Sequence, residues 1–138
     1  MAQAGDSYTT VIKQAHLEWG THRYTDSRDR IYGEGYIQIP MNKARQFNVL
    51  NSNGTQGLDI LGKNLFNCRS ADGTFESVLK AQGCEQANGQ YAKQFSANDD
   101  LKAVGDWYHR IGAQVGDIIT VTWTSQTDIV ISIIKRNG

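Results

Sequence analysis

Residues 35–47 read GYIQIPMNKARQF and predict a short strand that runs directly into a short helix. Apolar side chains in 36–39 surround one polar residue, Gln38, which is typical of a half-buried strand. Pro40 keeps the residue before it extended and offers a preset φ for the first helical residue. Apolar residues then recur every three positions and give the helix one apolar face: Met41, Ala44 and Phe47. The stretch therefore predicts a rigid strand-to-helix corner.

The segment just upstream of this corner, 21–30, reads THRYTDSRDR and has no apolar period. It is dense in side chains that can form hydrogen bonds. We interpret it as a polar arm that is held by the corner. The alternative is a solvated surface loop whose Arg and Asp neighbours pair with one another.

The length and composition indicate one globular domain that spans 1–138 and can bury its own core. Hydrophobic residues make up 39% of the sequence and charged residues 20%, and the formal net charge is zero. Because small DNA-binding domains are more often basic, the zero total counts against nucleic-acid binding unless cations cluster locally.

The cysteines and the hydropathy exclude several classes of protein. Cys68 and Cys84 are too few for a disulfide framework, and no nearby Cys or His completes a zinc site, so we predict no metal and no cofactor. The chain opens with no secretory signal and contains no apolar run that could span a bilayer. We therefore expect a soluble, cytoplasmic protein without a membrane partner.

Alternation of apolar and polar residues predicts further strands along the chain. The strand candidates are 11–19, 65–70, 75–81, 92–96, 117–123 and 129–135, in addition to the strand before Pro40. Asp72-Gly73 predicts a hairpin turn, because both central positions of this dipeptide can take positive φ. Helical spacing ends near Ile111. Short strands with two short helices between them favour a compact β-barrel over a parallel sheet.

Two stretches carry a resemblance to a known family. The strand-Pro-helix order in 37–47 resembles the signature of the DNA-binding pseudobarrel family, which includes plant B3 domains and the recognition domains of EcoRII-type restriction endonucleases. Residues 107–119 are similar to the aromatic helix of that family and to the Val-Gly-Asp turn that follows it. The resemblance covers about His16 to Lys135 in order and spacing. It implies a mainly β, seven-stranded open pseudobarrel with two short helices.

The resemblance also implies a mode of binding, in which two polar arms grip double-stranded DNA in the major groove. The first arm corresponds to 23–30 and the second to about 80–93, which is richer in Gln and Asn than in Arg or Lys. The residues implied to contact DNA are Arg23, Tyr24, Thr25, Asp26, Ser27, Arg28 and Arg30 in the first arm and Lys80, Gln82, Gln86, Asn88, Gln90 and Lys93 in the second.

The side chains of the arms suit base reading. Arginine can bridge O6 and N7 of guanine, whereas Gln and Asn can bridge N6 and N7 of adenine, and each good contact discriminates by about 1–3 kcal/mol. Asp26 could accept from a cytosine amino group or orient a neighbouring arginine. We therefore expect sequence-specific recognition of double-stranded DNA, as in the recognition domain of a restriction endonuclease.

Two other functions stay open at this point. One is a small β-barrel domain that binds protein or peptide without binding DNA, and the other is a small-barrel enzyme that uses a histidine or Cys84. Nuclease chemistry has little support, because the only Asp-x-Lys lies at 100–102, at a predicted helix start with no metal-binding acid on a preceding strand. We expect that this chain alone is not an enzyme and that any nuclease domain is a partner within the same protein.

Overall fold

The computed structural model describes residues 3–13, 35–51, 60–82, 91–98 and 102–135, and these contain seven strands and two helices. In chain order the elements are β1 (Ser7–Val11), β2 (Ile37–Gln38), α1 (Met41–Phe47), β3 (Leu65–Ser70), β4 (Glu76–Gln82), β5 (Gln94–Ala97), α2 (Ala103–Arg110), β6 (Ile118–Trp123) and β7 (Asp128–Ile134).

The strands form one sheet in the order β1-β6-β7-β3-β4-β5-β2. Neighbouring strands are antiparallel except β3 and β7, which run parallel. The sheet curls into a nearly closed barrel with one seam that no backbone pairing seals, between the edge strands β1 and β2. The predicted mainly β pseudobarrel with two short helices is confirmed.

Side chains bridge the open seam where backbone pairing is missing. The hydroxyl of Tyr8 donates to the carbonyl of Gln38 at 3.0 Å, and the Thr10 hydroxyl donates to Oε1 of Gln38 at 3.2 Å. From α2, the hydroxyl of Tyr108 donates to the carbonyl of Tyr36 at 2.9 Å. Burial raises the pKa of both donor phenols, which therefore stay protonated. Two buried hydroxyls thus hold the carbonyl of Gln38 in the edge strand β2 and that of Tyr36, the residue just before it.

Trp123 lies at the centre of the core and is fully buried. Its ring centroid is 5.3 Å from that of Phe47 in α1, 5.8 Å from that of Phe66 in β3 and 6.2 Å from that of Tyr8 in β1. Such tilted and edge-on pairs add about 0.5–1.5 kcal/mol each beyond their buried area. Trp107 of α2 is buried as well.

The strand-to-helix corner forms with one difference in detail. Pro40 has φ −59° and ψ 139°, so it is the N-cap of α1 and not its first helical residue. Its carbonyl accepts from the backbone N–H groups of Lys43 and Ala44, at 2.9 Å in each case. The helix ends at Asn48, which adopts a left-handed conformation with φ 56°. The corner is therefore fixed at both ends of α1 by local backbone geometry.

The prediction for the start of the sheet needs correction. The first described strand is β1 at Ser7–Val11, which the sequence did not predict, because Thr10 faces inward with Tyr8 and Ile12 and a threonine conceals the apolar alternation. Of the strand predicted at 11–19, only Val11 lies in β1, Ile12 and Lys13 follow it, and 14–19 lie outside the described residues. The predicted hairpin between β3 and β4 is present, and in its turn Gly73 has positive φ, at 77°.

The β3–β4 turn is tied to α2 through one threonine. The Thr74 hydroxyl donates to Asp72 at 2.6 Å and accepts from Nε1 of Trp107 at 2.8 Å. The hydroxyl of Ser70 also donates to Asp72, at 2.6 Å, and these hydrogen bonds lower the pKa of the carboxyl to about 2. The carboxylate of Asp72 therefore accepts its hydrogen bonds from side chains of its own turn.

We expect the seam hydroxyls to stabilise the barrel. Replacing Tyr8 or Tyr108 with Phe should lower the free energy of unfolding by about 1–3 kcal/mol. The first change leaves the carbonyl of Gln38 without its hydroxyl donor, and the second does the same to the carbonyl of Tyr36. Urea unfolding followed by tryptophan fluorescence measures this. Hydrogen exchange at the amide of Ile39, which donates to the carbonyl of Lys93, should also accelerate. Tyr91→Phe is the matched control, since the Tyr91 hydroxyl has no partner among the described residues. Equal losses for all three variants would contradict the assignment.

Candidate nucleic-acid interface

Most of the predicted contact residues fall outside the part of the chain that the structure describes. This holds for the whole first arm and for the middle of the second arm: Arg23, Tyr24, Thr25, Asp26, Ser27, Arg28, Arg30, Gln86, Asn88 and Gln90. Their roles stay predictions. The structure does place Lys80, Gln82 and Lys93, which are the residues where the second arm leaves and rejoins the barrel.

Lys80 and Gln82 lie on the outer face of β4. The alternate residues Leu79 and Ala81 are fully buried in the core, so the side chains of Lys80 and Gln82 point away from it. Lys93 is exposed, and its backbone N–H donates to the carbonyl of Gln82 at 3.0 Å. The two ends of the second arm are therefore joined at the barrel surface.

The register extends this outer face across two more strands. Gln94 of β5 pairs with Gln82 of β4 on one side and with Gln38 of β2 on the other, and Ser96 pairs with Lys80. Because residues in register on one face of a sheet are neighbours, these side chains form a continuous surface. We call it the β4–β5–β2 face, and it consists of Gln38, Lys80, Gln82, Gln94 and Ser96.

The two arm positions border this face at opposite ends of β5 and β2. At the end where β5 begins, the chain at Tyr91 bridges Leu50, which follows α1. At the other end, the carbonyl of Tyr36 accepts from Tyr108 of α2. The chain after β1 lies near the segment that follows α2, because the N–H of Ile12 donates to the carbonyl of Asp117, just before β6, at 2.8 Å. The β4–β5–β2 face thus lies between the positions from which both arms extend.

Among the described residues, the segments that carry this face hold charges of one sign. Residues 35–51, 77–82 and 91–98 contain no acidic side chain, and their cations are Lys43, Arg45, Lys80 and Lys93. The acidic residues of the described ranges lie elsewhere, and one of them, Glu76, is at the other end of β4: Asp6, Asp72, Glu76, Asp106, Asp117 and Asp128. These three segments are therefore locally basic, although the sequence as a whole has zero net charge.

The described residues do not support the alternative of a small-barrel enzyme that uses a histidine or a cysteine. Cys68 is buried, and burial raises the pKa of its thiol to about 12, so it is an inert core residue. His109 is exposed on α2, whereas Cys84, His16 and His22 lie outside the described residues. Within the described ranges no three His, Cys, Asp or Glu side chains are grouped to hold a metal ion. No helix in those ranges is long and apolar enough to cross a membrane.

Three residues of the β4–β5–β2 face were not among the contact residues predicted from the sequence. Gln38, Gln94 and Ser96 each occupy a polar position in a strand pattern, and Gln38 was noted only as the polar residue of its strand. The signal that could have identified them is the outward position of each residue. It becomes informative only when the strand order is known, because β5 brings together β2 and β4, which are far apart in the chain.

Comparisons with known proteins support the fold. No protein-family model matches the sequence, and no curated protein matches it significantly. The chain is similar in structure to the N-terminal domain of Helicobacter pylori LlaJI.R1, with a TM-score of 0.52 at 9% identity, over 96% of this chain and 90% of that one. It is also similar to a hypothetical Arabidopsis thaliana protein, with a TM-score of 0.51 at 8% identity, over 99% of this chain and 98% of that one. The Arabidopsis FUS3-DNA complex gives a TM-score of 0.49 at 17% identity, over 93% of this chain and 95% of that one. The chain has the B3-like pseudobarrel fold.

Proposed function

We propose that this chain binds double-stranded DNA sequence-specifically, with the β4–β5–β2 face toward the duplex and both arms in the major groove. One observation carries the proposal. Among the described residues, the segments 35–51, 77–82 and 91–98, which carry this face, contain four cations and no acidic side chain, although the whole chain is electrically neutral. Phosphate oxygens are acceptors with negative charge, and Lys, Arg and amide N–H groups are the donors that they take.

The local charge matters more than the total charge at physiological salt. At about 0.15 M ionic strength the Debye length is about 8 Å, so acids on the far side of a barrel are largely screened from a phosphate at this face. Lys80 and Lys93 lie at the edge of the second arm, and α1 adds Lys43 and Arg45 at the same end of the barrel. The neutral total is therefore compatible with attraction of a duplex to one side of the molecule.

The dimensions of the face place it over the groove and not inside it. Neighbouring strands lie about 4.8 Å apart, so the axes of β4 and β2 are about 10 Å from each other before side chains are added. The major groove of B-DNA is about 12 Å wide and admits an α-helix or a two-stranded ribbon, so we infer that the arms enter the groove while the face lies over it. In the arms, Arg23, Arg28 and Arg30 are spaced so that they cannot all leave in one direction. We infer that at least one of them reads a base edge while the others lie nearer to phosphates.

We further propose that the chain is a recognition module without nuclease activity, of the kind that a restriction endonuclease uses. A pseudobarrel fold shared with the N-terminal domain of Helicobacter pylori LlaJI.R1 supports this, since that domain is one part of a protein. The described residues supply neither an assembled metal site nor an activated thiol. A nuclease domain of the same protein is the partner that this role requires.

A second candidate function is protein binding through the opposite side of the barrel. Val11, Ile118 and Ile134 lie in register on the outer face of β1, β6 and β7, and the side chains of Val11 and Ile134 are 48% and 54% exposed. An uncharged, β-branched outer surface suits a protein partner better than DNA. This candidate replaces the first if the chain does not bind duplexes in a salt-dependent way.

Salt dependence tests the electrostatic part of the proposal. After selection of a binding site from random duplexes, affinity measured by fluorescence anisotropy should fall steeply with salt. Lys80→Gln and Lys93→Gln should each reduce the slope of log affinity against log salt by about one, because each removes one neutralised phosphate. Arg69→Gln, an equal loss of charge on the exposed surface of β3, should leave the slope unchanged. Three equal slopes would contradict a phosphate contact at the β4–β5–β2 face.

Alanine substitutions test the arms. At a base-reading position among Arg23, Arg28, Arg30, Gln86 and Asn88, the change should cost about 1–3 kcal/mol and relax the preference at one base pair. At a phosphate-contacting position it should weaken binding to all duplexes alike and flatten the salt slope. Repeated selection with each variant distinguishes the two. If all five variants bound the selected duplex like the unchanged protein, the two-arm proposal would be wrong and protein binding would replace it.

Incubation with DNA tests the absence of catalysis. Supercoiled plasmid that carries the selected site should stay intact with the purified chain in Mg²⁺, because no set of metal-binding acids with a lysine can be assembled from the sequence. Agarose electrophoresis over several hours measures nicking. Cleavage that co-elutes with the protein through a final size-exclusion step would overturn this part of the proposal.

A further inference from the structure

Three glutamines lie side by side at the end of the β4–β5–β2 face where β4 ends and β5 begins. Gln82, Gln94 and Gln38 occupy one row of the register, and each of them is half-buried. Their neighbours inside the barrel, Ala81 and Phe95, are fully buried, so the three amides lie on the outer side. Glutamine is depleted in strands relative to β-branched residues, and three in one row have no packing role that accounts for them.

Two hydroxyl groups orient the outer amides of this row. The hydroxyl of Thr10 donates to Oε1 of Gln38, and the hydroxyl of Ser96 donates to Oε1 of Gln82, at 3.2 Å in both cases. Thr10 and Ser96 are themselves buried, with 7% and 4% of their surface exposed. Each of these hydrogen bonds uses one of the two lone pairs of the amide oxygen and restricts the rotation of the amide, while its Nε2 group stays available as a donor. The side chain of Gln94 differs, because it makes no hydrogen bond with any described residue.

We propose that this row is a DNA-contacting element at the base of the second arm, in which Gln94 reads an adenine while Gln38 and Gln82 donate to phosphate oxygens. Reading adenine requires an amide that can turn to offer its oxygen to N6 and its nitrogen to N7 together, and Gln94 is the amide of the row that no described residue holds in another orientation. The amides of Gln38 and Gln82 are held by hydroxyls, and their Nε2 groups suit a phosphate oxygen, which is an acceptor alone. The inference rests on the proposed function, adds Gln38 and Gln94 from outside the arms to it, and gives Gln82 of the second arm a role.

The spacing of the row fits a duplex. With strands about 4.8 Å apart, the outer two glutamines start about 10 Å from each other. Consecutive nucleotides of one strand lie about 3.4 Å apart along the helix axis, so the row spans about three steps. A central base contact flanked by two backbone contacts is therefore compatible with one side of a groove.

Substitution of each glutamine tests the division of roles. Gln94→Ala should weaken binding to the selected duplex by about 5- to 150-fold and remove the preference for adenine at one position when the selection is repeated. Gln38→Met and Gln82→Met should each weaken binding to every duplex by about 2- to 10-fold and leave the selected sequence unchanged. The salt slope should not change in these two variants, because a neutral amide releases no counterion.

Controls separate this inference from the proposed function. Gln126→Met, in the β6–β7 turn, is the matched control and should bind like the unchanged protein. Side-chain amide signals of the unchanged protein, followed by NMR as the duplex is added, give a readout if a variant fails to fold, and the three glutamines should shift together. Normal binding and an unchanged preference in all three variants, with unshifted amide signals, would overturn the row alone. Failure of the unchanged protein to bind any duplex would overturn the row and the proposed function together.

Discussion

The hydroxyls of Tyr8 and Tyr108 hold the free edge of the barrel, and the position of the candidate interface depends on them. β2 has only two residues and pairs with β5 on one side alone. On its other side, the carbonyls of Tyr36 and Gln38 each accept from one of these buried phenols. Because burial raises the pKa of both donors, titration within the range where proteins stay folded does not remove these bonds. The seam therefore has no backbone hydrogen bonds between β1 and β2 and is bridged by side-chain hydroxyls instead.

The described acids and the cations near the β4–β5–β2 face lie mostly on different segments of the chain. Several of these acids serve the structure locally: Asp117 is buried and pairs with Lys135 at 3.5 Å, and Asp72 accepts from the hydroxyls of its turn. Asp128 accepts from the amide of Asn67 at 2.8 Å. Among the described residues, the cations of 35–51, 77–82 and 91–98 share these ranges with no acid, and Glu76 lies at the other end of β4. Net charge, which sums over the whole sequence, does not report such a local distribution.

The sequence predicted the fold well where apolar alternation is carried by large side chains. β3 was predicted at its observed bounds, because Phe66 and Cys68 alternate with exposed residues. β1 was not predicted, and the first predicted strand began at its last residue, because Thr10 is a polar residue at an inward position. The helix after Pro40 was predicted, but the role of Pro40 as a cap depends on its ψ, which the sequence does not fix.

The candidate site was predictable only in part, for a reason of connectivity. Lys80, Gln82 and Lys93 lie close together in the chain and were identified as the ends of one arm, whereas Gln38 joins them only through β5. Strand order is set by long-range pairing, and a pattern read along the chain contains no such information. The resemblance supplied the topology in general terms but not the register that aligns three glutamines.

A face of this composition favours discrimination over raw affinity, if the chain binds DNA as proposed. Each lysine contact with a phosphate strengthens binding to every sequence alike, and its contribution falls as salt rises. An amide that reads a base edge strengthens binding to one sequence and is insensitive to salt. What limits a recognition module in a genome is the ratio of specific to non-specific affinity, and additional cations do not raise that ratio. Few lysines and several glutamines on the β4–β5–β2 face, in a chain with zero net charge, therefore suit a module whose task is selection among duplexes.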